Sequence, residues 1–564
     1  MSRQPVDCSV VTFWELFFRV LLHKPTQALA AAYWHLTRRR VRARNRLRVA
    51  CADLSFAYEV WIRNTERNAE VSCEAGKSVE GWTWQPRLAV LLHGQTGYSP
   101  DQARVSVQTA HNQIYPAVAI IEGPDDFFGK AITTDCDYLV PLRIGDSLSE
   151  TALFRIAEAL QINRDAAILY GDHDEVDESG RRRRPWFKPQ WNPELFIAQD
   201  YISSAMAIDM ALVREAARGA RNVTELAIEA SSTDRPIVHV PHILCHVSQR
   251  FAVRSQRLTA LSRKLEPRGA HCVDGPFETV KVEWPLPQPL PLVSIIVPTK
   301  DKLELLQPCI ESVLERTDYD QFEILIVDNG SIQKRTTDYL AMIAKDPKVR
   351  VLTYPFQYNF SAINNFAARE ARGTYLCLLN NDTEVVNAGW LTELMRYAVR
   401  EDIGAAGAKL LYEDGTIQHA GVVIGIGDAA GHAHRFLPGH EPGYFCQPHA
   451  AQFVSAVTAA CLVIEKRKFE AVGGLDEDSL AVAFNDVDFC LKLEKAGLRN
   501  VYVPHAVLVH HESKSRGKDS SPANIDRYQR ELSVLQDRWG TKTYKDPLHN
   551  PNLDRYSETF VIRL

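Results

Sequence analysis

At 564 residues, 45% apolar and 24% charged, the chain is too long for one ordinary core and too apolar to be disordered or fibrous, so two or three globular domains are expected. Its net charge of −5 argues against a nucleic-acid binder working through bulk charge, and no nucleic-acid partner is expected. Eleven scattered cysteines without a CxxC pair suggest neither a zinc site nor a disulfide framework and fit a reducing cytosol.

The N-terminal stretch SVVTFWELFFRVLLHKP is apolar for one short helix before His23, Lys24 and Pro25, and it carries Glu15 and Arg19. It is too short and too charged for a membrane span, which needs ~20 apolar residues. With no basic region before it and no small-residue cleavage site after it, it is not expected to be a signal peptide. Arginines then cluster in RRRVRARNRLR, Arg38 to Arg48, behind a segment rich in Trp, Phe, Tyr and Leu. An aromatic face beside a basic run suits peripheral contact with the anionic inner face of the cytoplasmic membrane. A solvated basic helix packed on the rest of the protein fits equally. Residues 1–84 are therefore read as a helical, basic and amphipathic N-terminal region.

Two segments of alternating strands and amphipathic helices follow, at 85–255 and 292–515, the pattern of α/β domains. Residues 256–291 are read as a linker, because WPLPQPLP from Trp284 to Pro291 carries four prolines in eight residues, removing backbone donors and favouring extended geometry. Residues 516–564 are expected to form a C-terminal helical extension and tail, with Leu532, Leu535 and Trp539 spaced as a packing face.

The two segments look like copies of each other. YLVPLRIGD at Tyr138 parallels YLCLLNND at Tyr375, ILYGDHDEVDESG at Ile168 resembles LLYEDGTIQHAG at Leu410, and VHVPHILCH at Val238 parallels VYVPHAVLVH at Val501. Aligned on the tyrosines, Asn380 and Asp382 fall opposite Arg143 and Gly145, and Arg143 would repel a cation there. Asp328 is placed opposite Glu122. Asp486 is placed near Val223, in a window, Arg218 to Thr224, that has no carboxylate. The first segment is read as a degenerate copy that has lost its chemistry. Asp172 and Asp174 look like a second pair of metal carboxylates, but their counterparts are read as Glu413 and Asp414, away from the site, and they are given no metal role.

In the second segment, VSIIVPTKD reads as a buried strand from Val293 to Val297 ended by Pro298, with a helix from near Leu303. FEILIVDNGS puts Asp328 at a strand's carboxyl end, where open α/β sheets keep their ligands. QYNFSAINNF opens a helix with Asn359, Ser361, Asn364 and Asn365, which can cap it or reach a phosphate. The apolar run YLCLL then breaks into Asn380, Asn381 and Asp382, a pattern that is also ordinary turn chemistry. FNDVDFCLKL sets Asp486 and Asp488 at a helix start, favoured by its dipole, and VLVHHESKSRG adds His510, His511, Glu512, Lys514 and Arg516. A nucleotide-sugar enzyme needs this order: a strand-end Asp for the nucleotide, a carboxylate and a late histidine for a cation on the diphosphate, and a further carboxylate as base. His432 and His434 could line an acceptor groove, though histidines in a Gly-rich loop are more often structural or exposed.

Taken together, VSIIVPTKD, VDNGS, LLNNDTEV, FNDVDFCLKL and HHESKSRG resemble inverting glycosyltransferases of family 2 with the GT-A fold, of the two-domain bacterial O-antigen and rhamnan type. The likeness extends to FKPQWNPELFIAQDYI at Phe187 and DPLHNPNL at Asp546. It implies an α/β protein with two tandem GT-A domains, Rossmann-like with mostly parallel sheets, the first degenerate, flanked by helical extensions. It places the family's metal motif on Asn380, Asn381 and Asp382, with Asp382 the one carboxylate left for the metal and His510 the metal histidine, His511 being the alternative. Asp486 becomes the general base, with Asp488 and Trp390 on the acceptor side. Pro298, Thr299, Asp301, Asp328, Asn359, Asn365, Asn380 and Asn381 are assigned to the nucleotide sugar, with Lys514 and Arg516 over the leaving diphosphate. The implied cofactor is Mn²⁺ or Mg²⁺, with weak or optional dependence because the motif is NND. The implied reaction is a single displacement, with inversion, from a nucleotide-sugar donor to a hydroxyl of a lipid-linked or polysaccharide acceptor of the cell surface, in the cytoplasm. Two other readings compete. An inactive glycan-binding or assembly scaffold would have little reason to keep Asp328, Asp382, Asp486 and His510. A nucleotidyltransferase would open with a Gly-rich loop that PTKDKLELL lacks.

Overall fold

The computed structural model describes residues 10–37, 43, 46–47, 50–51, 54, 56–66, 75–94, 99–122, 129–248, 254–511 and 524–564. Lys514 and Arg516, expected over the diphosphate, lie outside the described residues, as does Glu512. The chain divides into two compact units. The first comprises Met1–Trp191, Asp200–Ala260 and His549–Leu564, and the second Asn192–Gln199 and Leu261–Leu548.

The first unit opens with consecutive helices α1 (Val10–His23) and α2 (Pro25–Leu36). Its sheet is built from β1 (Leu88–His93), β2 (Ala119–Glu122), β3 (Tyr138–Arg143), β4 (Ser147–Leu148), β5 (Ile168–Val176), β6 (Arg182–Trp186), β7 (Met206–Asp209) and β8 (Ile237–Val247). The order is β2-β1-β3-β7-β5-β8-β4, with β6 on β5. Continuous apolar runs such as Leu88–Leu92 are buried on both faces, as parallel strands covered by helices require.

A hairpin of β9 (His271–Asp274) and β10 (Val280–Glu283) precedes the second sheet. That sheet holds β11 (Val293–Thr299), β12 (Phe322–Asp328), β13 (Val349–Thr353), β14 (Tyr375–Leu379), β15 (Thr383–Val385), β16 (Ile403–Leu411) and β17 (Ile417–His419). A separate ribbon pairs β18 (Val422–Ile424) with β19 (Ala430–His432), and β20 (Gln452–Val454), β21 (Cys461–Glu465) and β22 (Arg499–His510) complete the large sheet. The order is β13-β12-β11-β14-β21-β16-β22-β15, with β17 on β16 and β20 on β22. Omitting β13 and β20, this repeats the first sheet strand for strand. Both sheets are mixed rather than mostly parallel. In the second, β13-β12-β11-β14 and β16-β22 run parallel, and β21 is antiparallel to both its neighbours.

Registers test the alignment of the copies. Leu88 pairs with Tyr138 and Val293 with Tyr375, so Arg143 and Gly145 do correspond to Asn380 and Asp382. Glu122 does not correspond to Asp328. It pairs with Leu92, whereas Asp328 pairs with Thr299; Glu122 matches Ile326, and the counterpart of Asp328 is Pro124, outside the described residues. The pairing of Asp172 and Asp174 with Glu413 and Asp414 is also corrected. Leu169 pairs with Val238 as Ala406 pairs with Val501, which puts both aspartates inside β5, level with Lys409 to Leu411. The shared Tyr-x-Asp letters had pulled the alignment out of step.

Both aspartates are fully buried and spent on structure. Asp172 accepts from the Lys188 backbone N–H and His239 Nε2, each at 2.8 Å, and from Asn550 Nδ2 at 3.1 Å. Asp174 accepts from the Tyr58 hydroxyl and His246 Nδ1, each at 2.6 Å, and from Arg182 Nε at 2.5 Å. They fasten the helix Phe56–Thr65 and the C-terminal segment to the first sheet.

The expected linker is mostly structured, holding the helix Arg254–Leu265 and the β9-β10 hairpin. Residues 192–199 belong to the second unit, where Asn192 bonds the backbone of Phe453 through both amide atoms, at 2.9 and 3.2 Å, and Glu194 pairs with Arg400.

Candidate functional site

The carboxyl ends of the second unit's strands surround a cleft of about 240 Å³, lined among others by Asn380, Gln418, His432, Asp486, His510 and Tyr528. The turn from β14 into β15 builds one wall. Asn380 N–H donates to the Ala460 carbonyl at 3.0 Å, and Thr383 Oγ1 to the Asn380 carbonyl at 2.8 Å. Antiparallel pairing of Thr383 with His510 then sets the Asp382 Oδ1 atom 3.1 Å from His510 Nε2, with Asn380 Nδ2 at 3.3 Å from the same nitrogen. His510 Nδ1 donates to Gln418 Oε1 at 2.7 Å. With the proton on Nδ1, Nε2 and the carboxylate oxygen are two acceptors face to face, an arrangement that asks for a shared proton or a cation between them. Among the described residues no group of three or more His, Cys, Asp and Glu is placed to hold a metal. Asp382 and His510 would thus supply two ligands, leaving the rest to phosphate oxygens and water, as Mg²⁺-type sites commonly do. His511 is turned away, its Nδ1 on Glu413.

Asp486 sits in the first turn of the helix Asn485–Lys495 and faces the cleft. Its Oδ2 accepts from the Ala459 N–H at 3.1 Å and its Oδ1 from the Val487 N–H at 2.9 Å. Those amides orient the carboxylate and leave each oxygen a further lone pair. Phe484, just before the helix, holds φ of 60°, an uncommon conformation for an aromatic residue and a mark of sites where the backbone is forced to aim a side chain.

Asp328 lies half-buried at the end of β12, its Oδ1 taken by the Ser331 N–H at 2.9 Å. Next to it, Asn329 Nδ2 donates to the carbonyls of Tyr354 and Phe356, at 3.0 and 2.8 Å, stitching two strand-end loops together.

Other expected contacts are diverted to structure. Asp301 Oδ1 accepts from the N–H groups of Ile332 and Gln333, at 3.0 and 2.8 Å. Pro298 is buried within β11, which runs on to Thr299 instead of ending before the proline. Asn381 Nδ2 donates to Thr299 Oγ1 at 3.0 Å, so these two buried residues brace the turn. Asn359 caps the helix Phe360–Glu370 through the Ala362 N–H at 2.9 Å and donates to the Glu477 carbonyl at 2.7 Å. Asn365 bonds the backbone of Leu475 and the Glu477 carboxylate. Both asparagines are thus engaged with residues 475–477.

The acceptor-side assignments of Asp488 and Trp390 are overturned. Asp488 is fully buried, and its Oδ1 accepts from Arg538 Nη1 and Trp539 Nε1, each at 2.8 Å, docking the helix Ile525–Trp539. Trp390 is fully buried too, donating from Nε1 to Thr317 Oγ1 at 3.0 Å. His434 is buried as well, whereas His432 lines the cleft. Gln418 was missed: it reaches His510 because β17 pairs with β16 and β16 with β22, and no local motif signals that.

A mixed α/β sheet with a strand-end aspartate, an NND turn paired with a late histidine, and an aspartate at a helix start defines a glycosyltransferase domain of the GT-A type. Residues 294–459 match the profile described as Glycosyl transferase family 2, so this segment is a domain of that family. It is 41% identical over 449 residues to the uncharacterized protein y4gI of Sinorhizobium fredii, covering 75% of this chain and 49% of that one. It is 35% identical over 500 residues to the O-antigen biosynthesis protein RfbC of Myxococcus xanthus, covering 84% and 38%. A shorter match, 34% over 85 residues and covering 15% and 27%, is to the N-acetylglucosaminyl-diphospho-decaprenol L-rhamnosyltransferase of Mycobacterium tuberculosis. The chain spans about half or less of the length of these relatives.

Proposed function

We propose that the protein is an inverting glycosyltransferase that moves a sugar from a nucleotide-sugar donor to a hydroxyl of a growing cell-surface glycan, with Asp486 as general base. The observation that carries this reading is the convergence of Asp486, Asn380 and His510 on one cleft at the strand ends, with Asp382 against His510. Asp486 takes the proton of the acceptor hydroxyl on a free lone pair, and the oxygen bonds to the anomeric carbon as the bond to the nucleotide diphosphate breaks on the opposite face. Asp328 orients the nucleotide. Asp382 and His510 would hold Mn²⁺ or Mg²⁺, whose charge would offset that of the leaving diphosphate. The relatives that are an O-antigen biosynthesis protein and an N-acetylglucosaminyl-diphospho-decaprenol L-rhamnosyltransferase support a lipid-linked or polysaccharide acceptor.

A membrane-linked acceptor also gives the N-terminal helices a use. α2 turns small Ala28 and Ala31 inward and leaves Leu29, Tyr33 and Leu36 exposed at 59%, 63% and 74%, while Phe18 and Leu22 of α1 are exposed at 60% and 83%. Between Glu15 and Asp53 the sequence has nine Arg and Lys and no carboxylate. An apolar face within a purely cationic stretch fits peripheral docking on an anionic bilayer at the cytoplasmic side. Among the described residues no helix is long and apolar enough to cross a membrane.

Calorimetric titration with UDP-, dTDP- and GDP-sugars, with and without Mn²⁺, tests the reading. One nucleotide class should bind at one site, and Asp382→Ala should weaken it. Binding of none would favour a glycan-binding scaffold.

A further inference from the structure

The helix Ile525–Trp539 holds the segment that carries Asp486 on both sides of it. Beyond the aspartate, Asp488 Oδ1 accepts from Arg538 Nη1 and Trp539 Nε1. Ahead of it, Glu531 turns a buried carboxylate onto the main chain, with Oε1 accepting from the Val482 N–H at 3.2 Å and Oε2 from the Ala483 N–H at 2.8 Å. Arg527 Nη1, one turn earlier in the helix, stands 3.3 Å from Oε2. Two bonds to consecutive amides fix where the loop lies and how its peptide planes are turned, which one bond leaves free.

The loop needs this outside hold. The helix Asn485–Lys495 starts from Phe484, which sits at the capping position with φ of 60° and gives no side-chain bond to the first turn. Helix starts ordinarily take that bond from Ser, Thr, Asp or Asn, and an aromatic residue stays in the left-handed region only where its surroundings over-determine it. Glu531 brings to this start the negative charge that a helix N-terminus favours. The Phe484 ring meets that of Tyr528, 5.3 Å between centroids and one turn before Glu531, and both residues line the cleft. Docking of the helix is served by buried Leu535 and by the Asp488 contacts, so a carboxylate buried against loop amides is more than docking requires.

We propose that Glu531 is a positioning residue for the general base: by holding the N–H groups of Val482 and Ala483 it sets the backbone at Phe484 and so aims the Asp486 carboxylate into the cleft at the acceptor hydroxyl. The C-terminal helix is then part of the catalytic apparatus, although it contributes no atom to the reaction. The inference rests on the reading of Asp486 as base, but its first test does not.

That test is amide exchange in the full chain without substrate. Asp486 Oδ2 accepts from the Ala459 N–H at 3.1 Å, so the Ala459 amide reports where the carboxylate is. Labelling with ¹³C-carbonyl threonine and ¹⁵N-alanine isolates the few Thr–Ala pairs, Thr458–Ala459 among them. Glu531→Ala should speed exchange of the Ala459 amide roughly ten-fold, and Glu531→Gln, which keeps one acceptor oxygen, by less; amides of β11, followed by mass spectrometry, should keep their protection. An unchanged Ala459 amide, or protection lost equally in β11, overturns the proposal, and the Gln variant decides if the Ala variant does not fold. The second test is hydrolysis of UDP-, dTDP- and GDP-sugars, followed as released nucleotide. Glu531→Ala should lower kcat about 10²-fold with KM nearly unchanged, and should add nothing in an Asp486→Asn background, because it acts through that carboxylate. Losses that multiply would make Glu531 structural and overturn the proposal. If no nucleotide sugar binds, the glycosyl-transfer reading falls while the exchange result still decides whether Glu531 positions Asp486.

Discussion

The two sheets share a strand order but treat the turn after β3 and the turn after its counterpart β14 differently. In the first, Arg143 Nη2 donates to Asp146 Oδ1 at 2.7 Å, the Ser248 N–H and Oγ reach the same oxygen at 3.0 and 3.1 Å, and Ser106 Oγ bonds the Asp146 carbonyl at 2.7 Å. The guanidinium stands where Asn380 stands in the second copy and satisfies the buried carboxylate from within. In the second, the Asp382 Oδ1 atom lies 3.1 Å from Nε2 of His510, which lines the cleft. An internal ion pair closes one turn, and the other sets its carboxylate against a histidine of the cleft. The strands that carry the turns are apolar and buried in both, so packing can be kept while the chemistry is lost.

The sharpest way to break this contrast is Asp486→Asn, which should lower transfer by about 10²- to 10⁴-fold, the usual worth of a general base, with nucleotide affinity nearly unchanged by calorimetry. Loss of binding or folding would make Asp486 structural. Asp382→Ala should weaken nucleotide binding in Mn²⁺ by roughly ten-fold or more, and the loss should shrink when the metal is omitted. In the first copy the damage should be to stability alone. Arg143→Ala strands Asp146 in the interior and should cost about 3–5 kcal/mol of unfolding free energy, read by denaturant titration, with turnover of the folded fraction intact.

A smaller effect is set by pH. Burial, then the nearby Asp546, pushes the Glu494 carboxyl up to about 8, and burial pushes Asp546 up to about 6. Both folded values lie above the ordinary carboxylate range, so folding favours the protonated forms. Stability from this pair is full below the unfolded pKa values near 4 and is lost as pH rises through about 6 and then 8. The melting temperature should fall across that window, and Glu494→Gln should flatten the decline. Smallest of all, Glu122→Gln should leave turnover unchanged; a dead enzyme would restore chemistry to the first copy.

The sequence made some of this legible and hid the rest for physical reasons. Strand-end positions such as Asp328 and Asp382 follow from where apolar runs stop, and the Tyr138 and Tyr375 match survives because both tyrosines sit in register beside the first strand of their sheets. Asp488 was misread because a helix start favours any carboxylate, whereas facing depends on phase. Two residues on from Asp486 is about 200° around the helix, so one aspartate meets the cleft and the other the core. Asn359 and Asn365 were claimed by residues 475–477, more than a hundred positions away, and Gln418 was placed by sheet pairing, neither of which leaves a local trace.

The fastening of Asn550 to Asp172 bears on how the chain is made. Translation delivers every strand of the first sheet by residue 247, yet the amide that covers Asp172 emerges some three hundred residues later. During that interval the first unit holds a buried carboxylate short of one partner while the whole second sheet is being synthesised. The second unit's core therefore has the chance to consolidate first, with the earlier unit completed last, the reverse of the usual order in which domains fold from the N-terminus as they emerge.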